Sequence, residues 1–172
     1  MKKLLVVVDV QNDFVDGSLG TPEAEGIIDS VVEAVMDEQY DDVIFTKDTH
    51  FEDYLLTQEG RNLPVVHCVK DTEGWQLNPR VEAAAGRRNG SVRVVEKNTF
   101  GSVRLAGIAG GYDDVTLIGL CTDICVISNA LLIKAGNPET PIHVIEKACA
   151  GVTPEKHAAA IETMRSCQID II

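Results

Sequence analysis

Positive charge is scarce in this chain. Fifteen Lys and Arg stand against 27 Asp and Glu, for a formal net charge of −12. The sequence pI is near 4.6. Phosphate backbones and anionic bilayer surfaces are repelled on average, which sets nucleic acid and membranes aside as partners. Long apolar runs are also missing, and no stretch nears the ~20 residues of a membrane-spanning helix. Residues 4–8 follow two lysines but are too few for a signal peptide. They run into Asp9, Asn12 and Asp13 instead of a small-residue cleavage site, so they read as a buried strand. Linkers, low-complexity tracts and internal repeats are absent from the 172 residues, and one domain, 1–172, is expected. The 5 cysteines are odd in number and suit free thiols in a reducing cytoplasm better than a disulfide framework.

What is present is an alternation of two periodicities. Continuous apolar or β-branched runs at 4–8, 42–46, 91–95, 115–119 and 141–145 predict strands, with a short one at 168–172. Between them lie helical patterns. One begins at Thr21-Pro22-Glu23 and presents Ile27, Ile28, Val31, Val32 and Val35. Others cover 100–109, 122–134 and the stretch from Thr153-Pro154-Glu155 to Cys167. Strands alternating with helices predict an α/β protein with a parallel sheet covered on both faces. The polar stretch 47–64 has little periodicity and is too long for an idle connection.

In such sheets ligands bind beyond the carboxyl ends of the strands. That rule alone collects Asp9 after the first strand, Asp48 and His50 after the second, Lys97 after the third, and Cys121 and Cys125 after the fourth. Cys125 falls in the first turn of a helix, where the helix N-terminus favours a thiolate and free N–H groups can receive an oxyanion. A single cysteine there is also compatible with a small core residue. Asp9 ends an apolar strand, where a carboxylate is paired or working, or caps a neighbouring N–H. Lys97 alone would be a solvated loop lysine. Together the three fit a carboxylate that accepts a thiol proton beside an ammonium that favours negative charge. Asp48, His50 and His67 make a reasonable ligand set for a divalent metal, the alternative being two surface histidines and a capping Asp. His143 and His157 read as structural. Trp75 is left between pocket and core.

The ordered set Val8-Asp9-Val10-Gln11-Asn12-Asp13-Phe14, Asp48-x-His50, His67-Cys68-Val69, Lys97 and Gly119-Leu120-Cys121-Thr122-Asp123-Ile124-Cys125-Val126 resembles the isochorismatase-like cysteine hydrolases, and among them the nicotinamidase branch. The resemblance spans nearly the whole chain. It implies a three-layer, Rossmann-like α/β/α fold with a six-stranded, mainly parallel sheet, and an Asp9–Lys97–Cys125 triad that cleaves a small amide through a thioester. It implies an oxyanion hole from the backbone N–H groups of Cys121 and Cys125, a cis Leu120–Cys121 peptide, and a substrate pocket bordered by Phe14 and Leu120. It implies zinc or a related ion on Asp48, His50 and His67, gripping a pyridine nitrogen, and a homo-oligomer. Two features depart from the branch. Phe51 follows His50 where Pro is usual, and Leu63-Pro64-Val65-Val66 precedes His67 where a Trp-Pro is usual. Both bear on the substrate and leave the chemistry alone, so isochorismatase-type or ureide hydrolysis remains a second expectation. A non-catalytic binding or oligomerisation module predicts loss of a triad residue, and all three are here. A redox role for Cys121 and Cys125 lacks the flanking residues of a redox motif.

Overall fold

A computed structural model describes all residues, 1–172. In chain order the elements are β1 Lys3–Val8, α1 Asn12–Val15, α2 Pro22–Gly26, α3 Ile28–Met36 and β2 Asp42–Asp48. A 3-10 turn Tyr54–Leu56 and α4 Gln58–Asn62 follow, then α5 Pro79–Ala85, β3 Ser91–Lys97, α6 Val103–Ala109 and β4 Asp114–Leu120. A π-helical turn Thr122–Val126 leads into α7 Ile127–Gly136, and β5 Ile142–Ala150, α8 Pro154–Ser166 and β6 Asp170–Ile171 complete the fold. The six strands lie in the order β3-β2-β1-β4-β5-β6, and every pairing is parallel.

β1 shows why the sheet has a core on each side. Leu4, Val6 and Val8 point to one face and Leu5 and Val7 to the other, as the two-residue strand period demands, and all five are fully buried. The first set packs with Leu105 of α6, Ala130 and Ile133 of α7, and Ile161 and Met164 of α8. The second packs with Val31 and Val35 of α3 and with Val81 and Ala84 of α5. The result is the α/β/α layering and six-stranded sheet expected from the sequence. Helix starts are set by side-chain oxygens: Thr21, Ser102 and Thr153 cap α2, α6 and α8, each accepting a backbone N–H three residues on. No helix is long and apolar enough to cross a membrane.

Three local readings change. The expected helix 122–134 starts as a π-helical turn and becomes regular only at Ile127. The fifth strand runs five residues further than the apolar pattern, because the β4–β5 register shifts between Leu117 and Gly119 and leaves Glu146 and Lys147 exposed. The polar stretch 47–64 is largely structured, by the 3-10 turn and α4.

The strand order places a reversal between β1 and β4: the chain winds outward from β1 through β2 to β3, then returns to add β4 on β1's other side. Crevices open at the carboxyl ends on either side of such a switch. Here they are bordered by Asp9, just past β1, and the turn 121–125, just past β4. Gly119 makes the approach possible. Its φ is +116°, and a Cβ there would lie 2.2 Å from the Val8 carbonyl oxygen.

Candidate active site

Asp9 sits one residue past β1 in left-handed backbone, φ +48°, fully buried. Thr46 of β2 holds it: the Thr46 hydroxyl donates to Asp9 Oδ1 at 2.6 Å, and the Asp9 N–H donates to Thr46 Oγ1 at 3.1 Å. The other carboxylate oxygen lies 2.6 Å from the Lys97 ammonium at the end of β3. Lys97 Nζ is in turn 3.6 Å from Cys125 Sγ. The three side chains expected to meet do so, at the carboxyl edge of the sheet. Burial raises the Asp9 carboxyl against the opposing pull of Lys97, which makes it a competent proton acceptor. Burial works against the Lys97 charge, but the carboxylates of Asp9, foremost, and Asp48 outweigh it and keep the ammonium protonated.

Cys125 departs from expectation in one respect. Burial, more than any other influence, pushes its thiol well above the ordinary value; Asp9 raises it further and Lys97 lowers it. The resting group is a thiol aimed at a carboxylate, not a thiolate stabilised by a helix end. The reason is local structure: Cys125 is in the π-helical turn, before regular helix begins, and is 5% exposed. Asn129 fixes this turn from α7, donating to the Cys125 carbonyl at 2.8 Å and accepting the Ser102 N–H at 2.9 Å. From α8, His157 Nδ1 lies 2.8 Å from the buried Thr122 hydroxyl, so this half-buried ring is part of the turn's support. The Leu120–Cys121 peptide is cis. The Cys121 N–H donates to no backbone acceptor, and burial pushes its thiol up to about 12.

Beside this triad Asp48, His50 and His67 converge, with Glu59 as a fourth member; one donor atom from each lies within 4.8 Å of all the others. His50 Nε2 is 2.9 Å from Asp48 Oδ2 and 3.5 Å from Glu59 Oε1. His67 Nε2 is 3.5 Å and 3.7 Å from the same two oxygens. The His67 tautomer follows from its other nitrogen, which lies 2.7 Å from the Val65 carbonyl. A carbonyl only accepts, so Nδ1 carries a hydrogen, and Nε2 is the ring nitrogen turned toward the cluster. Two imidazoles and two carboxylates, largely desolvated, fit a divalent cation, and zinc in particular. Without a cation, Asp48 is drawn below the ordinary carboxylate range. Burial opposes this, but hydrogen bonds from His50 and His67 win. His50 rises to about 9: burial again opposes, and Asp48 and Glu59 prevail.

The cluster is held by residues given no role from sequence. Gln11 accepts the Asp48 N–H and donates to the Asp48 carbonyl, both at 2.8 Å. Asp13 accepts the Cys68 N–H at 2.7 Å, which anchors the residue next to His67. Trp75 turns out to be a support as well. Its ring is buried, its Nε1 donates to Thr49 at 2.9 Å, and Lys47 Nζ sits 3.1 Å from the ring centroid. Glu59 was hidden because an acidic residue in a first helical turn reads as a helix-dipole partner, and Thr57 does cap that helix.

A cavity of about 250 Å³ joins the two clusters. Cys121 and Cys125 border it, as do Asp48, Glu59 and His67. Phe14 and Leu120 line it as expected, together with Leu63, Phe100, Ile124 and Val152. Leu63 and Phe100 supply apolar wall where a Trp-Pro is lacking. Phe51, the other departure, points to solvent and is 54% exposed.

Comparison with known proteins agrees across the full chain. The isochorismatase domain family matches residues 3–172. The nicotinamidase/pyrazinamidase of Mycobacterium tuberculosis is 28% identical, with 99% of this chain and 98% of that protein aligned. The crystal structure of the nicotinamidase/pyrazinamidase PncA from Bacillus subtilis superposes with a TM-score of 0.82 at 30% identity, covering 99% of both chains. The pyrazinamidase of Pyrococcus horikoshii, solved in complex with zinc, also gives 0.82, at 26% identity and covering 100% of this chain and 99% of that one.

Proposed function

The chain belongs to the isochorismatase domain family, and we propose that it is a nicotinamidase-type cysteine hydrolase that converts a small amide, nicotinamide first among them, to its acid and ammonia. One observation carries this reading: Cys125 Sγ, the Lys97 ammonium and the Asp9 carboxylate form a contiguous buried chain against a small apolar cavity. The cavity, at about 250 Å³, falls below the ~300–1,000 Å³ of pockets for drug-sized ligands, which favours a one-ring substrate.

The proposed mechanism gives each group a role, and Asp9 moves every proton. Asp9 takes the Cys125 proton as sulfur attacks the amide carbon, so a C–S bond forms and the carbonyl π pair moves onto oxygen. The N–H groups of Cys121 and Cys125 receive that oxyanion, and Lys97 keeps the sulfur–carboxylate pair in a cationic field throughout. Asp9 then returns its proton to nitrogen, the C–N bond breaks and ammonia leaves. Water, deprotonated by Asp9, attacks the thioester; the acid departs and the thiol is restored. Asp48, His50, Glu59 and His67 would hold a divalent cation, zinc by their chemistry. When bound, such an ion supplies a Lewis-acidic anchor for a neutral lone pair such as a pyridine nitrogen. A thiol nucleophile among five unpaired cysteines suits a reducing compartment, and a cytoplasmic, homo-oligomeric protein is part of the proposal.

The test is ammonia release from nicotinamide, pyrazinamide and a panel of ureides, with and without chelator. Turnover of a ring amide that disappears in Cys125→Ala, with circular dichroism unchanged, is the expected result. Wild-type rates in that variant would remove the mechanism, and activity confined to ureides would remove the substrate.

A further inference from the structure

The candidate metal ligands form a partition between two cavities. Asp48, Glu59 and His67 face the apolar cavity that borders Cys125. His50 and Glu59 face a second cleft of about 370 Å³, which is mainly polar and includes Asp53, Thr57, Gln58 and Asn98. Glu59 alone among the four borders both. We propose that this second cleft, and not the substrate cavity, is the route by which a divalent cation reaches and leaves the cluster, with Asp53 at its mouth and Glu59 the first ligand met. The inference rests on the metal reading given above and adds to it a door.

Three observations support the polar route. A dication moving inward sheds water only as protein donors replace it, and an uncompensated polar or charged group in apolar surroundings is costly. Besides the ligands, the cleft offers the Asp53 carboxylate, the hydroxyls of Thr49, Tyr54 and Thr57 and two amides, whereas the substrate cavity offers mainly apolar wall, with one hydroxyl, Thr21, two thiols and the cation-repelling Lys156. Second, Glu59 is the ligand most open to solvent. Its side chain is 20% exposed, against 4% for Asp48, 6% for His50 and 2% for His67. It also rides on the five-residue α4, while Asp48 is fixed at a strand end by Gln11 and His67 is next to the Asp13-anchored Cys68. His50 is tied down too, its N–H donating to the Cys68 carbonyl at 2.9 Å, so three ligands are held in place and the fourth sits where an arriving ion comes. Third, Asp53 is exposed and forms no ion pair. In a chain of net charge −12, a free carboxylate at a cleft mouth concentrates cations there. The arrangement lets a cation exchange while an amide fills the apolar side.

The probe is zinc alone, added by stopped flow to chelator-stripped full-length chain and withdrawn with a chromogenic indicator. Gln58→Trp, which fills the cleft, is expected to slow uptake and release together by about tenfold and leave Kd within about twofold. Asp53→Lys is expected to slow uptake and flatten its dependence on ionic strength. Val152→Trp, on the apolar side, is expected to raise KM for the amide and leave zinc exchange at the wild-type rate. Unchanged zinc rates in both cleft variants, or slowing by Val152→Trp instead, overturn the route. A wild-type chain that retains no zinc at all overturns the metal reading beneath it, an outcome visible before any variant is made.

Discussion

At the scale of single residues, the ion pair between Asp9 and Lys97 governs the site. Removing one partner of a buried pair strands the other, at about 3–5 kcal/mol. In Lys97→Met the low end, about 3 kcal/mol, is expected, because a carboxyl already raised by burial escapes by taking up a proton. Denaturant titration checks the stability. The same reasoning gives a kinetic outcome. Lys97 holds the Asp9 pKa down, so without it the acid limb of kcat/KM moves to higher pH; a limb that stays in place would show Asp9 is not the base. His50 gives a second pH dependence. Its folded pKa is raised, to about 9, from 6.5, so its contribution to apo stability is full below about 6.5 and is lost as pH rises through about 9. The melting midpoint of chelator-treated protein should therefore fall across that window, and His50→Ala should remove the fall. Zinc affinity should run the other way, rising with pH as the proton competing for His50 is removed.

At the scale of elements, much of the fold was legible. The first strand, expected at 4–8, is Lys3–Val8, because a two-sided buried strand must be apolar at every position. What escaped is short or irregular. α1 has four residues, too few for a helical period to declare itself, and in α5 the run Ala83-Ala84-Ala85 blurs the period. The β4–β5 bulge hid the end of β5, because Glu146 and Lys147 look like a strand end. The π-helical turn has no signature separate from α-helix, yet it decides whether Cys125 feels a helix N-terminus. Gly119 is the element-scale joint. Gly119→Ala puts a methyl group into the Val8 carbonyl at a φ that L-residues avoid, and should cost about 2 kcal/mol or more. A shift of the urea midpoint measures it, and an unchanged midpoint would mean β1 and β4 are free to separate.

At the scale of the whole molecule, charge and cores set the behaviour. The surface ion pairs, such as Arg80–Asp29 and Lys147–Glu33, are each worth about 0–1 kcal/mol and weaken with salt. Self-repulsion from a net charge of −12 also weakens with salt, and it acts on the entire chain. Repulsion is the larger effect, so the melting midpoint should rise between low and about 0.3 M salt; a fall would mean the pairs dominate. Both cores share β1 and β4, and we propose that residues 1–172 unfold as one domain, in a single calorimetric transition whose van't Hoff and calorimetric enthalpies agree.

The sequence by itself determined which chemistry-bearing residues end which strands, because strand and helix periods are local and a functional residue at a strand end interrupts them visibly. Asp9, Asp48, His50, Lys97 and Cys125 were found that way. Only the tertiary structure decided that β1 lies between β2 and β4, that Glu59 swings in from a short helix to join the candidate metal ligands, and that burial pushes the Cys125 thiol up. Those outcomes depend on pairings and desolvation between segments far apart in the chain, which no local period records.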